Sequence, residues 1–479
     1  TNTLNTTGGG YIETSGQTIN LLASINAGRG GMWLIDPRDL WIDSTLAANI
    51  SSALATNNVS VIVGSTSNSC INVSGCPSYS DTTDSGSIFL TSNITRSSGS
   101  GSTTLTLKAW SALILDGNYS GSATAYTING SQDHPLNVVL WANASGDSSY
   151  GGARYGNIKT YGGHVWIGGG SSSWDGSVQV PTGASNGWTT SGGMVTTAGA
   201  YQLGFINTTT DGNNGTVGGN IYLNVAQGNG YTGLGVPNNS YSTVAFNAGN
   251  GNITIYAPTI NWPVSQSRSD LANFGGLPLK TTGNIIFQTG QGTMTYWFNF
   301  SPGGTTANNI TLTTTSGHMY LVSKIIANGT VTLGAGPSST MYYRYDGVST
   351  NLGATDSAVV AGGVQLNATN WSFAGQLMAI NTSGTFNLQP STSDTNFGQD
   401  IATSWFSING NTLGSLIIGN NDTTTRSIYI NSPLSINGAV NVYGNTINLD
   451  SNTATTNLTT GDIFLKSATL AGAGNISIA

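Results

Sequence analysis

Carboxylates are the first groups in this sequence whose type and spacing allow chemistry. Asp36, Asp39 and Asp43 fall together in WLIDPRDLWID, and Asp81 and Asp84 form a second pair. Two carboxylates at a suitable separation hydrolyse glycosidic bonds, and several together hold Ca²⁺. Asp36 and Asp39, however, flank Pro37 and Arg38 in a turn-like stretch, where aspartate is favoured because its side chain caps backbone N–H groups. Calcium-binding β-rolls repeat a Gly/Asp nonapeptide many times, and DGNNGTVGGN at 211–220 is a single loose echo of it. The histidines are His134, His164 and His318, and His134 follows Asp133. Three scattered imidazoles and 12 Lys and Arg do not assemble the acid–base cluster that a polysaccharide-cleaving groove needs. The expectation is therefore a protein that is not an enzyme and that holds no metal and no cofactor.

Three other groups of residues bear on contacts. Cys70 and Cys76, the only cysteines, lie in SNSCINVSGCPS, a spacing that suits a small disulfide-closed loop better than a four-ligand metal site. Asn-x-Ser/Thr sequons are frequent, and Asn118, Asn143, Asn207, Asn238, Asn367, Asn381 and Asn421 stand in turn-like or polar contexts, which makes them the candidate glycosylation sites. Asn252, Asn309 and Asn475 begin strand-like segments and read instead as ladder asparagines. Tryptophans recur along the chain, among them Trp110, Trp141, Trp166, Trp371 and Trp405, and most are expected to fill an interior. The MYYRYD segment is the exception. Tyr342, Tyr343, Arg344 and Tyr345 are the candidate contact surface, because exposed rings stack on sugar faces.

The elements that must position these residues follow from composition and period. Only 6% of the 479 residues are charged and 67 are glycine, yet 38% are hydrophobic and come in phased clusters, which argues against a disordered tract. Alternation with period 2 recurs in GNIYLNV (219–225), GNITIY (251–256), GTVTL (329–333), SIYI (427–430) and GDIFL (461–465). Apolar side chains then share one face and Asn, Thr or Ser the other. Gly followed by Asn, Asp or Thr introduces many of these runs, a pair suited to a left-handed backbone at a sharp corner. Short strands repeated over hundreds of residues favour a solenoid over a closed sandwich. The fold class is all-β, a right-handed parallel β-helix, and 1–479 reads as one continuous solenoid. A short flanking helix is predicted near 44–55, where Leu46, Ile50 and Leu54 fall at i, i+4 and i+8 and Ser44 is placed to cap. Excursions from the coil are expected at 44–80 (the helix and the cysteine loop), 265–280 and 336–356, the last two rich in the scarce Arg, Lys and Asp.

The segment from Gly30 to Val63, GGMWLIDPRDLWIDSTLAANISSALATNNVSVIV, resembles a recurring unit of filamentous-haemagglutinin-like exoproteins. In that unit a Trp-Leu-Ile/Leu-Asp-Pro-x-Asp-Leu-x-Ile-Asp strand pair precedes an Ala/Ser-rich helix and a Val-rich strand. Trp33, Leu34, Asp36, Pro37, Asp39, Leu40 and Asp43 match it, as do Leu46, Ala48, Ile50, Ala53 and Leu54. HPLNVVLWANA (134–144), TYGGHVWIGGG (160–170) and the stretch 414–449 are similar to repeats of the long members of this group. The resemblance implies export across an outer membrane, a right-handed β-helix, and a role as a surface adhesin or fibre.

A net charge of −7 spread over this length is too weak a field, and of the wrong sign, to hold nucleic acid. No apolar stretch approaches the roughly 18–20 residues of a membrane-spanning helix. The expected function is thus an extracellular structural or adhesive fibre protein, a glycosylated stalk or filament subunit. The alternative is a polysaccharide-binding or polysaccharide-degrading β-helix. Expected partners are other copies of the chain in a head-to-tail filament or its own continuation in a longer fibre, together with attached or bound glycans. Neither nucleic acid nor a membrane span is among them.

Overall fold

The computed structural model describes residues 3–5, 9–16, 24–37, 40–63, 86–115, 126–142, 144, 153–154, 156–169, 205–213, 215–224, 246–257, 260–261, 279–289, 294–296, 307–321, 325–343, 359–373, 377–392, 394–408, 412–423, 425–432, 434–449, 457–458 and 463–471. They fall in two compact units, one formed by Thr1–Gln266 with Pro278–Gly283 and the other by Ser267–Leu277 with Asn284–Ala479. Each unit is an all-β parallel β-helix.

In the first unit the widest face stacks, in parallel and in register, Tyr11–Gly16, Met32–Pro37, Asn58–Val63, Thr103–Ala109, Leu136–Ala142, Val165–Gly169, Ile221–Asn224 and Ile253–Ala257. A second face stacks Leu40–Ile42, Ile88–Leu90, Leu113–Ile114 and Ala153–Arg154. The third runs from Ile94–Thr95 through Thr127–Asn129, Asn157–Lys159, Ile206–Asn207 and Phe246–Gly249 to Leu279–Thr281. The period-2 pattern explains the core. Trp33, Val59, Leu105, Val138, Val165, Ile221 and Ile253 lie directly above one another on the inward side of the wide face, each at most 1% exposed. Two residues further along each strand, Ile35, Val61, Leu107, Leu140, Ile167, Leu223 and Ile255 form a parallel column. Each such side chain contributes about 1.5–3 kcal/mol by leaving water.

The second unit repeats the plan. Its wide face stacks Ile285–Thr289, Ile310–Thr314, Thr330–Gly334, Gly363–Asn367, Thr385–Gln389 and Ser415–Ile418, followed by the long strands Val440–Leu449 and Ile463–Ala471. Met294–Tyr296, Met319–Leu321, Thr340–Tyr343 and Asn370–Ser372 make another face. Ile325–Ile326, Val359–Val360, Met378–Asn381 and Phe406–Ile408 make the next. Ile310, Val331, Val364, Phe386 and Leu416 form its inward column.

The helix spans Ser44–Ala53 and turns Leu46, Ala47, Ile50 and Ala53 inward. Its cap is Asp43, not Ser44: the Asp43 carboxylate accepts the Leu46 N–H at 2.9 Å. A carboxylate also favours the positive end of the helix dipole, which a serine hydroxyl does less well.

The predicted excursions are shorter than expected where the structure describes them. Asn58–Val63, within 44–80, is a strand of the wide face. Leu279 and Lys280 belong to the strand Leu279–Thr281, and Thr340–Tyr343 is a strand inside 336–356. In the last case the scarce charges of MYYRYD masked an ordinary alternation, in which Met341 and Tyr343 point inward and Tyr342 outward. Residues 64–80, 265–278 and 344–356 lie outside the described residues. Among the described residues no helix is long and apolar enough to cross a membrane.

Candidate functional site

Among the described residues a set of polar side chains bonds the backbone of a neighbouring coil. The residue just before the first residue of the inward column makes a second column on several wide-face strands. Asn58 accepts the N–H of Thr104 at 2.8 Å, and Asn137 that of His164 at 2.9 Å. His164 accepts that of Asn220 at 2.9 Å, and Asn220 that of Asn252 at 2.8 Å. In the second unit Asn309 takes the Thr330 N–H at 2.8 Å, which gives it the ladder role expected of it. Each bond satisfies a backbone donor at a corner where the strand ladder has not yet begun.

Glycine occupies the position before this column: Gly163, Gly219 and Gly251. A side chain there would drive its Cβ into the backbone carbonyl of the coil above, Leu136, Gly163 and Gly219 respectively. Close approach, not a left-handed backbone, selects glycine at these three corners. The left-handed conformation is met one residue before Gly163, at Gly162, and two before Gly251, at Gly249. A buried threonine completes the corner. Thr160 and Thr208 donate to the carbonyls of Gly163 and Gly219, both at 2.6 Å, and Thr281 donates to that of Gly251. Sequence reasoning missed these threonines, although each closes a strand on the preceding face.

The candidate glycosylation sites separate by burial. Asn207 and Asn367 are 7% and 5% exposed. The Asn207 amide donates to the Asn213 carbonyl at 2.8 Å while its oxygen accepts from Thr209, and Asn367 accepts from the Gln365 amide at 3.2 Å. A sugar on either side-chain nitrogen would need space that the coil lacks, so both are withdrawn as candidates. Asn381 is half-buried at the end of Met378–Asn381, and Asn421 is exposed in a turn. Asn118, Asn143 and Asn238 lie outside the described residues, as do Cys70 and Cys76.

Aromatic positions also differ from expectation. Tyr343 is 7% exposed, which removes it from the contact surface. Tyr342 is half-buried with its ring edge-on to His318 at 5.5 Å, and Arg344 and Tyr345 are outside the described residues. Trp33 does fill the interior. Trp141 and Trp166 are buried, but in the outward phase of their strands, where they form a separate cluster with Val139 and Tyr222. Trp166 stacks on Tyr222 at 6.4 Å, and the Lys108 ammonium lies 4.7 Å from the Trp141 ring. The exposed rings are elsewhere: Tyr11 at 58%, Phe464 at 47% with Tyr443 5.5 Å from it, Tyr429 at 36%, and Trp110 at 39%, which faces water and does not fill the interior as expected. The signal was present in SIYI and GDIFL, where an aromatic takes the polar phase of the alternation.

Of the acid–base candidates, Asp43 is the helix cap, and Asp39, Asp81 and Asp84 lie outside the described residues. Partial desolvation, with the Glu13 carboxylate second, raises Asp36 above the usual aspartate value. Asp133 sits in a left-handed turn with φ 66°, and the His134 ring is 2.6 Å from the Gly99 carbonyl. Both therefore belong to the turn that Ser131 and His134 close by a two-way backbone pair. Among the described residues no three His, Cys, Asp or Glu side chains converge on a metal position. No protein-family model, no curated protein and no solved structure matches this chain.

Proposed function

We propose that this chain is an extracellular structural or adhesive fibre protein, a β-solenoid stalk or filament subunit with glycosylated faces. The observation that carries this reading is the use of its polar side chains. Asn58, Asn137, His164, Asn220 and Asn309 hydrogen-bond the backbone of the next coil, and Thr160, Thr208 and Thr281 bond corner carbonyls. Chemistry that could converge on a substrate is thereby committed to joining coil to coil. The resemblance of Gly30 to Val63 to surface exoproteins supports the same role and a location outside the cell.

Attached sugars would take the place of charge as the layer facing water, with Asn421 the best-placed acceptor and Asn381 next. In this reading Cys70 and Cys76 form a disulfide, and copies join head to tail or the chain continues as a longer fibre. A second reading, polysaccharide binding or degradation, is favoured by the exposed rings of Tyr429 and Phe464, with Tyr443 beside the latter. Imaging of native material together with peptide mapping is the primary test. Filaments, and sugar at Asn421 but not at Asn207 or Asn367, are the expected result. Discrete unglycosylated particles that depolymerise a polysaccharide would overturn it.

A further inference from the structure

Two of the three histidines belong to the coil-to-coil ladder, one in each unit, and in the same relation to it. His164 precedes Val165–Gly169 and accepts the Asn220 N–H on Nδ1 at 2.9 Å. His318 precedes Met319–Leu321 and accepts the Thr340 N–H on Nδ1, also at 2.9 Å. In each case the donor is the residue stacked on the histidine in the next coil, because Val165 pairs with Ile221 and Met319 with Met341. Asn137 and Asn220 hold the same post in neighbouring coils, through a side-chain carbonyl. An amide oxygen accepts at any pH. An imidazole Nδ1 accepts only while it carries no proton, with the ring's hydrogen on Nε2. His134 has the opposite arrangement. Its Nδ1 faces the Gly99 carbonyl and must donate, so a second proton on that ring leaves the bond in place.

We propose that His164 and His318 make the coil stack acid-sensitive: protonating either ring turns a ladder acceptor into a donor aimed at a backbone N–H, and that corner opens.

The strands that flank His164 offer a cation no carboxylate, and the acidic residue of the adjoining corner is Asp133, which its left-handed turn holds four residues before Asn137. Leu136–Ala142 and Ile221–Asn224, the strands on either side, carry no charged side chain, and Tyr222 is their one titratable group. The corner residues 160–163 and 218–219 add only Tyr161. At the His318 corner Thr340–Tyr343 supplies Tyr342 and Tyr343, and among the described residues the one charged group placed beside that corner is Asp394, whose carboxylate is already engaged by the Ser338 N–H at 2.8 Å. Burial holds the His164 imidazole below its ordinary value. The unfolded chain then takes up a proton near about pH 6.5 while the folded chain resists it. The stability from this bond is present in full above that value and is lost as pH falls through the lowered folded one.

The test compares melting midpoints of the unaltered chain, H164N, H318N and the H164N/H318N double variant at about pH 7.5 and about pH 5. Asparagine is the ladder's own residue, so the variants keep the acceptor and drop the titration. Acidification affects carboxylates equally in all four chains. The expected result is an acid-induced fall in midpoint that shrinks in each single variant and shrinks most in the double one. A double variant that falls as far as the unaltered chain overturns the proposal. Histidine-selective ¹⁵N NMR of the unaltered chain gives a readout that needs no variant. Two rings protonated on Nε2 and one on Nδ1 are expected near neutrality, and His164 or His318 protonated on Nδ1 refutes the idea.

Discussion

Arg96 is fully buried, and the partners of its guanidinium are carbonyl oxygens: Leu54 at 2.8 Å, Pro135 at 2.6 Å and Ser100 at 3.4 Å. Leu54 is the helix C-cap, so the cation sits at the negative end of the helix dipole. Desolvation pulls its pKa down, yet three carbonyls and the dipole replace the lost water. One residue thus ties the flanking helix to two loops of the coil. Arg96→Met should destabilise the first unit by about 2–3 kcal/mol, because buried carbonyls lose their donors. Arg96→Lys should recover less than half of that, since one ammonium cannot reproduce a planar fork reaching three acceptors. Urea unfolding midpoints decide both, and an Arg96→Met chain as stable as the original would contradict this account. Nothing in SNITRSSGSG marks Arg96 in the sequence as a buried residue, because its two shorter bonds go to main-chain atoms of segments some 40 residues away on either side.

At the scale of elements, alternation located the strands because an inward phase of Ile, Leu and Val is hard to mistake. It failed where the outward phase was also apolar. In LNVVLWA all of Val138, Val139, Leu140 and Trp141 are buried, and period alone cannot say which of them face the coil. The Gly-Asn pairs were legible as corners, but their cause was not, since a collision with the coil above is visible only once the coils are stacked. Gly219→Ala or Gly251→Ala should therefore cost about 2–3 kcal/mol, the upper part of the range of an overpacked core. Gly30→Ala should cost only about 1 kcal/mol, because Gly30 has φ 74° but open space around it. Equal losses at the two kinds of glycine, measured by thermal unfolding, would show that backbone handedness and not close approach governs the corners.

For the molecule as a whole, neutral hydrogen bonds and aliphatic stacks carry stability in a chain of which 6% is charged. Raising salt screens charges and leaves such bonds nearly untouched. Melting midpoints between about 0.05 and 0.3 M NaCl should agree within about two degrees, and a fall of ten degrees would point to ion pairs as the main support. The fold class was legible at this scale because composition and period agree over the entire length. The contact surface was not. Whether an Asn or Tyr faces water depends on the coil beside it, as Asn207 and Asn421, both in good sequons, demonstrate by their opposite burial.

The corner columns also govern how such a chain can change length over generations. The neighbouring coils that begin at Gly163, Gly219 and Gly251 present to one another a corner glycine, a polar ladder residue and an inward pair, so a whole coil lost or duplicated there by recombination leaves a junction that still fits. A single inserted or deleted residue within a strand shifts every later side chain to the opposite face until the corner resets it. Natural variants should accordingly differ by complete coils, and the gene behaves as a ruler marked in steps of one turn.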